Sequence, residues 1–100
     1  MSSILDSAGH KVATIGEDLV VHNLAGIKIG HVLADGEVLN NAGEKVGHFA
    51  SNGYVYNYED NHIGTVHSDG HVYDYENHYL GKVVGDHIES GGAALLLLVR

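Results

Sequence analysis

The chain has 100 residues, thirteen acidic against five basic side chains, a formal charge of −8, and neither cysteine nor proline. This length leaves room for one domain. The acidic balance argues against unaided nucleic-acid binding, because phosphates would be repelled, and the missing thiols exclude a disulfide framework or a thiolate metal site.

The opening MSSILDSAGH has neither a basic start nor an apolar core. It does not read as a signal peptide, and a cytoplasmic location is the default expectation. Sliding the sequence against itself shows a period of seventeen residues. A small residue recurs at Ala13, Gly30, Gly47, Gly64 and Gly81, and an aliphatic precedes it at Val12, Ile29, Val46, Ile63 and Leu80. Two residues after the small position stands Ile15, Val32, Phe49, Val66 or Val83; nine before it stands Ile4, Val21, Val38, Val55 or Val72. The five copies cover about residues 2–18, 19–36, 37–53, 54–70 and 71–87 of a single domain, and a tail of 88–100 follows.

Each copy carries two turn signals. Asp or Asn at 6, 23, 40, 57 and 74, followed three residues later by Gly9, Gly26, Gly43, Asp60 or Asn77, describes a type I turn closed by a left-handed residue. Between copies, Asp35-Gly36, Asn52-Gly53 and Asp69-Gly70 read as two-residue hairpin turns. Repeat one has Leu19 where its successors have glycine, so its closing turn is expected to be looser. Repeat two carries His22 where the others place Leu39, Tyr56 or Tyr73, and repeats four and five share the motif YxYE and hold all six tyrosines.

Two turns per copy make each repeat a β-hairpin. With Asn52-Gly53 as a two-residue turn, Ala50 lies opposite Val55 and Phe49 opposite Tyr56; with Gly43 as the bulge residue of the within-repeat turn, Val38 lies opposite Val46. Alternation then places Ile4, Val12, Val21, Ile29, Val38, Val46, Val55, Ile63, Val72 and Leu80 on one apolar face. An open meander would leave two bare edges and this face uncovered, whereas a ring removes both edges. The expected fold is all-β: five 17-residue hairpin repeats closing into a small antiparallel barrel of about ten short strands with pseudo-five-fold symmetry, Val83 beside Leu5 at the closure, and the ten aliphatics lining its channel.

The tail Ala93 to Val99 is apolar all round, as in a helix buried on every side. It is too short for a transmembrane span, which needs about 20 residues. Leu95, Leu96, Leu97 and Leu98 are therefore expected to plug the channel, with Gly91 and Gly92 supplying the chain reversal. A last strand, or a membrane or oligomer contact, are the alternatives for this tail.

Hairpin units such as VLNNAGEKVGHFASNG and VYDYENHYLGKVVGDH resemble the β-flower families in their five-fold version, over Ile4 to Asp86. The resemblance implies hairpin petals around an apolar channel, similar in shape to Tubby C-terminal-like and scramblase-like barrels that enclose a hydrophobic helix. The Tubby-like shape in turn suggests lipid or membrane association. Lys11, Lys28, Lys45 and Lys82 are scattered and form no basic block.

Nine histidines invite a metal reading. His31 and His48 hold equivalent places in adjacent repeats and are the weak candidates, but Thr14, Thr65 and Lys82 stand at the same place elsewhere. No ligand set repeats, so neither a metal nor a cofactor is expected. Tyr54, Tyr56, Tyr73 and Tyr75 mark a possible partner face. Enzymes usually interrupt internal symmetry with one distinctive loop, and no loop here outgrows its neighbours. The expected function is a non-enzymatic binding or scaffold module using its apolar channel and tyrosine-rich face, with an apolar small molecule, lipid or protein as partner. The alternatives are a lipid- or membrane-associated barrel and a histidine-dependent metal-binding protein or enzyme.

Overall fold

A computed structural model describes all of residues 1–100. Ten strands follow one another: β1 (Ser2–Asp6), β2 (Lys11–Ile15), β3 (Val20–Asn23), β4 (Lys28–Val32), β5 (Glu37–Asn40), β6 (Lys45–Phe49), β7 (Tyr54–Asn57), β8 (His62–Val66), β9 (His71–Asp74) and β10 (Tyr79–Val84). Each pairs antiparallel with its neighbours in sequence, and β1 pairs with β10, so the sheet is a closed barrel without edges. A short helix, α1 (Ile88–Ala94), runs on into a π-helical turn, Leu95–Val99.

The turns within repeats form as their residues dictate. The Gly43 N–H donates to the Asn40 carbonyl, and Gly9, Gly26, Gly43, Asp60 and Asn77 all have positive φ. Asn40 Oδ1 accepts the N–H groups of Ala42 and Glu44 at 2.9 and 3.0 Å. These bonds satisfy donors that the turn leaves unpaired.

The turns between repeats differ from expectation. They span four residues and repeat the same geometry: the Gly53 N–H donates to the Ala50 carbonyl, and the Ala50 N–H to the Tyr54 carbonyl. Gly53 is the left-handed residue closing a type I turn, with φ of 91°, not the second member of a two-residue turn. Pairing is thereby shifted by one, so Phe49 faces Val55 and His48 faces Tyr56. The turn at Leu19 is no looser than its successors. Leu19 takes φ of 63° and donates to the Gly16 carbonyl at 2.9 Å, and its side chain packs on the core, offsetting the cost of a left-handed backbone.

A second slip comes from a β-bulge in every hairpin. Val38 pairs with Gly47 and Leu39 with Lys45, leaving Val46 as the extra residue; Val12, Ile29, Ile63 and Leu80 occupy the same place. A slip of one residue turns a strand over. Of the ten proposed channel residues, Ile4, Val21, Val38, Val55 and Val72 are fully buried, while Val12, Ile29, Val46, Ile63 and Leu80 are half-buried at the bulges. The inner wall instead takes in the small column (Ala13, Gly30, Gly47, Gly64, Gly81) and the column Ile15, Val32, Phe49, Val66 and Val83, of which Phe49 alone is half-buried. Closure is likewise displaced by one: Val83 faces Ile4, and Leu5 faces Lys82.

The tail fills the lumen. Helix α1 packs against β1, β2, β4, β6, β8 and β10, and Ala93, Ala94 and Leu95 are buried. Leu96, Leu97 and Leu98 are half-buried towards the mouth, not enclosed on every side. Gly91 and Gly92 do not make the reversal; they lie inside α1, where an added Cβ would come within 2.7 Å of Val83 and 2.3 Å of Val66. The chain reverses at Gly85, with φ of 137°, where a Cβ would meet Ser2.

Candidate interaction face and metal-ligand clusters

On the outside of the barrel, cross-strand pairing brings tyrosine and histidine together over repeats three to five. His48 stacks on Tyr56 with ring centroids 5.1 Å apart, and Tyr54 stacks on His62 at 4.6 Å. Tyr56 also meets His62 at 5.9 Å. Further round the ring, Tyr73 lies 4.8 Å from His67 and 5.7 Å from Tyr79, which in turn lies 5.6 Å from His71. Outward-facing residues of adjacent antiparallel strands stand close enough for such rings to touch. Repeats one and two place Leu5, Val20, His22 and Lys28 on the corresponding surface, so the aromatic face covers one side.

Tyr54, Tyr56 and Tyr73 belong to this face. Tyr75 does not. It sits exposed in the turn after β9 and lines a shallow groove at the barrel mouth with Ile63, Asp74, Leu96 and Arg100. Tyr79 and the histidines at 48, 62, 67 and 71 complete the face, and of these the histidines are not placed there by the sequence. Their signal was the spacing of aromatic and imidazole side chains across each turn, which becomes readable once the register is known.

His31 and His48 are not brought together. β5 stands between β4 and β6, so the two histidines are two strand spacings apart, about 10 Å. The Nδ1 atoms of both are buried without a hydrogen-bond partner; His48 Nδ1 lies 3.7 Å from Asp60 Oδ1. Other groups do converge: Glu17, Asp86 and His87 form one cluster of ligand-type atoms, and Asp74, Glu76 and His78 another.

The turn carboxylates are tuned by the bonds they accept. Asp69 is held below the usual carboxylate range by the His71 N–H and then by the His71 ring, whose Nδ1 lies 2.8 Å from Asp69 Oδ2. Asp74 is lowered chiefly by the His78 N–H, with the Glu76 N–H adding to it. Glu17 is lowered by the terminal amino group of Met1 and by His87.

Five like hairpins, one per seventeen-residue repeat, close into a ring around the chain's own tail. The family model of the 5-fold beta-flower protein matches residues 1–99. The chain belongs to this family. No curated protein and no solved structure matches it. In this β-flower, the ten petal strands wall the lumen, the tail occupies it, and the exterior of repeats three to five carries the aromatic groups. No helix is long and apolar enough to cross a membrane.

Proposed function

We propose that this β-flower is a non-enzymatic binding module that engages a protein partner through the tyrosine–histidine face of repeats three to five. The observation carrying this reading is the one-sidedness of that face on an otherwise five-fold body. Equivalent strand positions hold Tyr54 and His71 on one side, and Ser3 and Val20 on the other. Packing of the core treats all five repeats alike and gives no reason for such a bias. Tyrosine is favoured at interfaces because it supplies large contact area and a hydrogen-bonding tip with few rotors to freeze. The uniform turns and tail-filled lumen build the body as a rigid carrier, which supports a binding role over catalysis.

A photo-crosslinking side chain installed at Tyr54, and as a control at the equivalent Val20, tests the reading in cells. One recurrent protein adduct from position 54, lost when Tyr56 and Tyr73 are replaced by serine, is the expected result. Identical adducts from both positions, or none from position 54, overturn it.

A second reading, lipid or membrane association, draws on the exposed Leu24, Ile27, Tyr58 and Tyr75. All belong to within-repeat turns, which share the rim where Leu96 and Arg100 emerge. Flotation with neutral phosphatidylcholine vesicles, abolished by Leu24→Ser with Ile27→Ser, would favour it; a protein that stays in the pellet fraction with and without vesicles would not.

A further inference from the structure

The ring must be sealed where its ends meet, and there the repeats depart furthest from their common pattern. Glu17 occupies a place held by Ala34, Ser51, Ser68 and Gly85 in the other copies. His87 stands where Gly36, Gly53 and Gly70 close their turns. Asp86 is the counterpart of Asp18, Asp35, Asn52 and Asp69, each of which accepts the N–H two residues on. Asp86 has no such bond, because the chain there leaves the sheet for α1, and its carboxylate is free of the turn.

These three departures meet in space although 70 residues of chain separate Glu17 from His87. Glu17 Oε2 lies 3.2 Å from His87 Nε2, and the ligand-type atoms of Glu17, Asp86 and His87 all lie within 4.8 Å of one another. His87 is placed by the fold: its N–H donates to Ser2 Oγ at 2.9 Å, and Ser2 is fully buried beneath the β1–β10 junction. The imidazole is three-quarters buried, while both carboxylates are exposed and free to draw in. The amino group of Met1, a monovalent and exposed partner, also pairs with Glu17.

We propose that Glu17, Asp86 and His87 form a binding site for a divalent first-row transition metal of the zinc type, which staples the seam of the barrel to the start of the plug helix. Two carboxylates neutralise a dication. The imidazole nitrogen selects zinc-like ions over magnesium and calcium, which prefer all-oxygen shells. Three protein ligands at about 2.0–2.2 Å leave a fourth, tetrahedral position for water. The other cluster, Asp74, Glu76 and His78, lies within one turn, and Asp74 is already committed to the N–H groups of Glu76 and His78.

The test is a zinc titration of the chelator-washed full chain, followed by calorimetry and by thermal melting, with magnesium in parallel. One equivalent of zinc is expected to bind and raise the melting temperature, with magnesium inert at the same concentration. Glu17→Ser, which installs the residue of Ser51 and Ser68, and Asp86→Asn, which installs that of Asn52, should each weaken zinc binding at least tenfold. His78→Ala should leave it unchanged. For the unmutated protein, zinc should also shift the His87 ring resonances in NMR, which keeps the proposal testable should a variant fold poorly. Absence of stoichiometric zinc binding overturns the proposal, as does zinc binding lost in His78→Ala or unaltered in Glu17→Ser. Magnesium binding equal to that of zinc, or a silent His87 ring, overturns it as well.

Discussion

Leu97 packs on Gly47 so closely that a Cβ at Gly47 would stand 2.7 Å from the Leu97 Cδ1 atom. The same relation recurs in order round the barrel: Leu95 on Gly81, Leu96 on Gly64 and Leu98 on Gly30, one leucine per petal. Five petals are about 72° apart, whereas an α-helix advances about 100° per residue. Opening into a π-helical turn, with the Arg100 N–H donating to the Leu95 carbonyl five residues back, reduces the rotation per residue and lets successive leucines meet successive petals. Repeat one has Ala13 in place of glycine, and the next tail residue is Val99, shorter than leucine.

Gly47→Ala follows directly from this fit. The new methyl meets Leu97 and also the Tyr56 carbonyl oxygen, at 2.2 Å, and neither can retreat without disturbing the sheet or the plug. A loss of about 1–3 kcal/mol is expected. Urea denaturation checks it, with unchanged stability counting against the glycine ring as the seat of the tail.

The leucines of the plug should differ in weight. Leu95 is 2% exposed, whereas Leu98 is half-buried near the mouth. Leu95→Ala should cost about 2–5 kcal/mol, and Leu98→Ala less than half as much. Removing the chain after Gly92 takes Ala93, Ala94 and all four leucines out of the lumen, and the shortened protein should unfold or take up an apolar molecule. A truncated, ligand-free monomer with the parent melting temperature would contradict this.

Acid should weaken the fold through Asp69 and Asp74. Both carboxyls are held below their ordinary range in the folded chain. Their stabilisation is therefore complete above the unfolded pKa, about 3.9, and is lost as pH falls through the lower folded value. Asparagine keeps the turn acceptor, as Asn52 and Asn57 do, but cannot titrate. In the double variant Asp69→Asn with Asp74→Asn, stability should depend less steeply on pH below about 4, as read from urea midpoints across that range.

His31 and His48 bury an Nδ1 atom without a partner, a condition that costs about 1–3 kcal/mol for a typical polar group. Replacing both by threonine, the residue at Thr14 and Thr65, should leave the fold intact and its melting temperature equal or higher. A large drop would mean that these rings carry an interaction that the fold depends on.

Period, hairpin class, closure and the apolar tail were all legible in the sequence, because each follows from local chemistry repeated five times: Asn40 and Gly43 specify a turn wherever their types recur, and a one-sided row such as Val38 and Val55 has to be covered. Register was not legible. Asn52-Gly53 carries the same letters whether it forms a two-residue turn or ends a four-residue one, and nothing local marks Val46 as a bulge, so both slips moved whole columns between faces. Tertiary structure decided the rest. Gly47 is small because Leu97 arrives from the far end of the chain, and the tail widens into a π-helical turn because five petals surround it. His48 meets Tyr56, and Glu17 meets His87, through pairings and a ring closure that exist only once the barrel has formed, which is why spacing along the chain singled out His31 and His48 while the folded molecule brought other side chains together.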